Sequence, residues 1–327
     1  MEITIDERIE LLTVVQTLCN YWDNLSLKFH GVPLFQCKYK NDIKEYFEKY
    51  KNHEIIEFYN ILSNEIVDIS APIKMILCYS NPPELNNIAN NEDNFRTTDN
   101  SIFHNEELVA KLRKFYTDTN FDKFYKKNQN EYIKMLGDYG SKTELSESTA
   151  LEYLGCKAEN YRIIISTLVP GNFGIKVITD TNETLHYSVV SPFDYRENKY
   201  DFGPLQFKKE IVWHEIGHLV IDNDLTKNYI NQFNINKKPV PEVYVNNFYT
   251  SIENIINEYI IRAITIRLVE MNGGMEIMEF QIEEHIRQGF KDVVSVKEYI
   301  KENCEENGKF IKDSRYKNLI EYVMERI

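Results

Sequence analysis

The run Ile211-Val212-Trp213-His214-Glu215-Ile216-Gly217-His218-Leu219-Val220-Ile221 limits what this chain can fold into more than any other stretch. Its only side chains that are neither apolar nor glycine are His214, Glu215 and His218. A helix that is apolar all round belongs in a core. Two histidines and a glutamate buried there without partners would cost several kcal/mol. The fold must therefore enclose this helix and bring its three polar groups something to bind.

The spacing says what that is. Residues four apart on a helix lie roughly 40° apart around the axis, one turn above each other. His214 and His218 can thus address a single ion, and Glu215, about 100° round from His214, stands beside it. This is HExxH, in which two imidazoles hold zinc and the glutamate takes a proton from zinc-activated water. The expected cofactor is Zn2+, with His214 and His218 as ligands and Glu215 as general base.

A catalytic zinc normally has three protein ligands and one open position. In the metzincin extension a glycine follows three residues after the second histidine and a ligand after six. Those positions hold Ile221 and Asp224. A β-branched residue fits the sharp turn badly, which disfavours this route. The alternative is a carboxylate on a later helix. In Ser251-Ile252-Glu253-Asn254-Ile255-Ile256-Asn257-Glu258-Tyr259-Ile260-Ile261-Arg262-Ala263, Glu253 and Glu258 flank an isoleucine-rich arc. They lie about 140° apart on a helical wheel, so periodicity does not choose between them.

Around this motif the chain reads as α+β. Helical spacing marks Glu7–Leu18 and residues 42–50, 53–62 and 106–116. Residues 161–168, 173–179 and 185–190 are β-rich and separated by turn signals, which predicts a small antiparallel meander just upstream of the HExxH helix. An apolar helix is expected from about residue 248 to 269, followed by a helical C-terminus. The organisation expected is a mainly helical region over 1–150 and a catalytic domain over 151–327. Residues 86–100 and 223–241 read as loops.

Composition narrows the function classes. The 327 residues carry a net charge of −13 and are 43% hydrophobic, with 22 Tyr and 18 Phe. That is a folded globular chain, not a disordered one. The acidity, with no basic patch interleaved with aromatics, excludes a phosphate-tracking nucleic-acid binder. No uncharged run has transmembrane length, and Met1-Glu2-Ile3-Thr4-Ile5-Asp6 is not a signal peptide, so no membrane partner is expected. The compartment is then cytoplasmic, or extracellular after removal of a leader. Cys19, Cys37, Cys78, Cys156 and Cys304 are scattered and odd in number, and read as free buried thiols.

HExxH followed, after a long insertion, by Asn257-Glu258-Tyr259-Ile260-Ile261-Arg262-Ala263 resembles a bacterial family of gluzincin-type metallopeptidases catalogued as a domain of unknown function. Glu7-Arg8-Ile9-Glu10-Leu11-Leu12 and the aromatic-rich helices through His53 are similar as well, so the resemblance covers most of the chain. It implies a zincin-like fold, Glu258 as the third zinc ligand and a peptide or protein substrate. Arg262, one turn on, then pairs with Glu258 and holds its rotamer. Tyr249 stands before Glu258 at a spacing similar to that of the tyrosine in thermolysin-like enzymes, which implies a donor to the developing oxyanion. A strand of the meander, with Asn172 and Gly174 at its bend, would offer an edge to an extended substrate. The rival readings are a deformylase-like amidase completed by Cys156 and a catalytically silent zincin-fold binding protein.

Overall fold

Apolar runs of different period sort this chain into helices and one small sheet. A computed structural model gives residues 2–22, 35–65, 70–90, 106–141, 147–155, 161–220, 226, 230–231, 239–245, 249, 251–311 and 314–327. The fold is α+β, in two compact units: Met1–Lys142 with Glu159–Gly203, and Thr143–Ala158 with Pro204–Ile327. The units interleave along the chain. The segment 151–327 accordingly gives strands to the first unit and helices to the second.

The first unit is built on α1 (Glu7–Leu18), buried at every residue from Arg8 to Gln16. The Asp6 side chain caps it by accepting from the Arg8 amide. Around α1 pack α2 (Lys38–Phe47), α3 (Glu54–Leu62), α4 (Ala71–Leu77) and α5 (Glu106–Thr119). Two more helices, α6 (Phe121–Lys127) and α7 (Gln129–Tyr139), complete the helical part. Arg8 brings charge into this core. Its guanidinium is bonded to Asp6 at 2.6 Å and donates to the Leu77 and Tyr79 carbonyls at 3.2 and 2.7 Å.

The sheet corrects the sequence reading. Its strands are β1 (Glu2–Thr4), β2 (Tyr161–Ile165), β3 (Phe173–Ile178) and β4 (Thr184–Val190). Their order is β1-β2-β4-β3, not that of a meander. β1 and β4 both lie parallel to β2, and only β3 and β4 are antiparallel. The sheet is mixed, and it belongs to the first unit rather than to the unit of the HExxH helix. The cause is visible in the burial pattern. In β2, Ile163, Ile164 and Ile165 are all buried, as a strand covered on both faces requires. β2 gains its second neighbour from the N-terminus, where Glu2-Ile3-Thr4 pairs with Arg162-Ile163-Ile164. β3 alternates buried and exposed and takes the edge. At the start of β3, the Asn172 side chain accepts from the Ser191 amide at 3.1 Å, and Gly174 pairs with Ser188. A short hairpin of β5 (Asp194–Arg196) and β6 (Lys199–Asp201) follows.

The second unit contains α8 (Glu147–Leu154), α9 (Leu205–Val220), α10 (Glu242–Val245), α11 (Ile252–Met271), α12 (Met275–Arg287), α13 (Val293–Asn303) and α14 (Ser314–Met324), with a hairpin of β7 (Glu305–Glu306) and β8 (Lys309–Phe310). α11 is its axis and packs against α9, α12, α13 and α14. It starts at Ile252, later than the expected residue 248, because the Ser251 hydroxyl caps it by accepting from the Asn254 amide at 3.1 Å. Arg267 on α11 grips Glu305 through two bonds of 2.8 and 3.1 Å, tying the hairpin to the axis. Among the described residues no helix is long and apolar enough to cross a membrane. Cys19, Cys37, Cys78 and Cys304 are free and buried; Cys156 lies outside the described residues.

Glu10 on α1 is a buried acid, 1% exposed. It accepts from the Tyr39 hydroxyl and, at 3.5 Å, from Ser166. Burial outweighs those bonds and pushes its pKa up to about 7. The unfolded chain releases this proton near pH 4.5, whereas the folded chain holds it until about 7. Stability therefore falls as pH rises through that window and levels off above it, by roughly 3 kcal/mol. Glu10→Gln removes this dependence, so the variant gains on the native chain between pH 4.5 and 7. Denaturant titrations of both proteins at pH 5 and pH 8 check it; a difference that does not change with pH refutes it.

Candidate metal centre

α9 carries the HExxH residues at the heart of the second unit. Val212, Trp213 and Ile216 are almost wholly buried, as the apolar run requires. The imidazoles of His214 and His218 stand 5.1 Å apart by ring centroid, at 77° to each other. One ligand atom from each of His214, Glu215 and His218 lies within 4.8 Å of the others. The side chains of His214 and His218 remain 20% and 33% exposed, which leaves the cluster reachable from solvent.

Glu258 approaches from α11. Its Oε2 is 3.8 Å from His214 Nε2 and its Oε1 is 3.5 Å from His218 Nε2. Zinc–nitrogen and zinc–oxygen bonds near 2.1 Å put tetrahedral donors about 3.4 Å apart, so the Oε1–His218 separation suits a shared ion, with the other oxygen of the same carboxylate turned toward His214. Of the two carboxylates that periodicity left open, Glu258 is the one brought to the histidines. Glu253 sits in the first turn of α11, where a negative charge favours the helix dipole.

A glycine makes the approach possible. Gly217 stands between the two histidines, and a Cβ there would come within 3.0 Å of Ile261 Cγ2 on α11. Ile261 is fully buried and has nowhere to withdraw. The bare backbone at 217 thus sets how closely α9 and α11 meet, and so where Glu258 arrives.

The protonation states suit a cation. Burial pushes His214 down to about 3 against the pull of Glu258, and lowers His218 in the same way, leaving both imidazoles neutral and able to ligate. Burial and the nearby charge of Glu258 raise Glu215 to about 8. Its Oε2 has no hydrogen-bond partner among the described residues and lies 3.9 Å from His218 Nε2. Burial alone would raise Glu258, but attraction to positive charge at His214, Arg262 and His218, with the Tyr249 hydroxyl, outweighs it and lowers the carboxyl. With the imidazoles neutral, the standing positive charge beside Glu258 is the Arg262 guanidinium.

Arg262 does what its spacing implied. Its Nε donates to Glu258 Oε2 at 3.1 Å. Its Nη2 donates to the Tyr249 hydroxyl at 2.8 Å, and that hydroxyl donates to Glu258 Oε2 at 3.1 Å. The structure thus places Tyr249 against the carboxylate of Glu258. The guanidinium lies 4.3 Å above the Phe290 ring, and its Nη1 meets His285 Nδ1 on α12. Glu210, one turn before His214, is also buried; burial raises it to about 8 against the Gln281 amide and Arg262.

Sequence reasoning passed over His285, Phe290, Gln281 and Glu210. Glu210 had a signal, since it continues the spacing of His214 and His218 back along the helix. His285 had none, because its partner Arg262 is remote in the chain. The metzincin positions Ile221 and Asp224 and the amidase candidate Cys156 lie outside the described residues.

Over residues 1–327 the chain matches the family described as Domain of unknown function (DUF4932). It belongs to that family. No curated protein and no solved structure matches it.

Replacing Gly217 by Val drives a branched side chain into Ile261. Overpacking of this kind costs about 1–3 kcal/mol. Thermal unfolding of Gly217→Val should show a lower midpoint than the native protein; an unchanged midpoint means that α9 and α11 do not depend on this contact.

Proposed function

We propose that this chain is a zinc-dependent peptidase of zincin-like fold, with His214, His218 and Glu258 as metal ligands and Glu215 as general base. The observation that carries the reading is the convergence of Glu258, on a separate helix, upon the two histidines of HExxH. Two neutral imidazoles and one carboxylate are the donor set of a catalytic zinc with an open position. A zinc ion bound there supplies a Lewis acid for a substrate carbonyl and lowers the pKa of its water toward about 7.

The chain's own residues supply the rest. Glu215 presents a carboxyl oxygen beside His218 that has no partner among the described residues. Burial and Glu258 keep it protonated to about 8 in the absence of a cation; once a bound cation's charge ionised it, it would accept a proton from the attacking water and return it to the departing amine. A protein that only bound a ligand through this fold would have no use for a buried acid held in that condition. Arg262 pairs with Glu258 at 3.1 Å and favours its ionised form, the form a metal ligand needs. The peptide substrate reaches the histidines through their exposed side.

Glu215→Gln should keep the zinc content of the native protein and lower peptide hydrolysis by about 10²–10⁴-fold. Metal analysis together with cleavage of a mixed peptide pool, with and without chelator, reads both quantities. Hydrolysis that survives the substitution sinks the mechanism, and a native protein with no chelator-sensitive cleavage points to the binding-protein reading. In parallel, Glu258→Ala should lose zinc and Glu253→Ala should retain it; the reverse assignment would show up in the same metal analysis.

A further inference from the structure

We propose that His285 is a positioning residue of this metal centre: its Nδ1 fixes the Arg262 guanidinium, which with Tyr249 commits one oxygen of Glu258 and leaves the other for the ion. The inference rests on the reading of His214, His218 and Glu258 as metal ligands and adds to it a residue on a third helix.

The argument starts from donor and acceptor chemistry. A guanidinium carries five N–H donors and no acceptor. The nitrogen of His285 that meets Arg262 Nη1 must therefore be an unprotonated acceptor, and the ring proton must sit on Nε2. That Nε2 is buried and has no hydrogen-bond partner among the described residues. An imidazole that leaves one polar atom unsatisfied in a core is a poor filler, and an apolar side chain would pack there at lower cost. What the imidazole contributes is the acceptor at Nδ1.

That acceptor completes a cage. Arg262 is held on Nε by Glu258 Oε2, on Nη2 by the Tyr249 hydroxyl, on Nη1 by His285, and on its face by Phe290. The consequence falls on Glu258. Its Oε2 accepts from Arg262 and from Tyr249, both at 3.1 Å, which uses both lone pairs. Its Oε1, 3.5 Å from His218 Nε2, accepts no hydrogen bond among the described residues and remains the oxygen open to an ion. Groups that orient a metal ligand in this way govern affinity without touching the metal.

The test uses the full chain with zinc and cobalt(II) as probes. Zinc affinity is measured by competition with a chromogenic chelator, and the cobalt(II) visible spectrum reports the ligand field. His285→Leu removes the acceptor and should weaken zinc binding about 10–100-fold and alter the cobalt spectrum. His285→Asn places an oxygen near the position of Nδ1 and should restore affinity and spectrum. His285→Gln reaches instead toward the position of Nε2 and should not. Where the Leu variant fails to fold, the contrast between Asn and Gln decides. A folded Leu variant with native affinity overturns the proposal, as does an Asn variant no better than Gln. A native protein that binds neither metal overturns the reading of the site itself, which separates the two failures.

Discussion

An ion pair between Glu258 and Arg262, both largely enclosed, is the constraint on which the candidate metal centre of the second unit depends. Taking two charges out of water costs several kcal/mol per ion, and attraction between them offsets that only when their remaining donors and acceptors are also met. Here they are met by Tyr249, His285 and the face of Phe290, drawn from three different places in the chain. The pair is therefore weak as a source of stability and strong as a constraint. It favours the ionised form of Glu258, which faces two neutral histidines.

The helices supply the frame that such a pair needs. α11 is buried along most of its length, so its arginine and glutamate at this level, only 10% and 12% exposed, answer each other. α9 meets it across Gly217, where the absence of a side chain lets the helices close on Ile261. A histidine pair on one helix and a carboxylate on the next then face one another without any loop having to place them. Rigid elements position such groups better than loops do.

How much of this was legible in the sequence depends on how far each partner lies along the chain. α1 was legible to its ends, and HExxH was legible because its two histidines and its glutamate lie within one turn and a half of one helix. The strands β2, β3 and β4 were legible as segments. Their order was not, because β2 pairs with a strand at the opposite end of the first unit's sequence. The uninterrupted Ile163-Ile164-Ile165 did hold the clue, since only a strand covered on both faces needs it.

The sequence by itself determined that a buried helix presents two histidines and a glutamate at metal-binding spacing, because helical geometry converts local spacing directly into a shared face. It also narrowed the third carboxylate to two residues on one helix. Periodicity did not choose between them; that Glu258 is the one facing the histidines is a matter of which edge of α11 meets α9, set by packing at Gly217 and Ile261 in the tertiary structure. It likewise brought His285 to Arg262, a contact across two helices that no local pattern encodes.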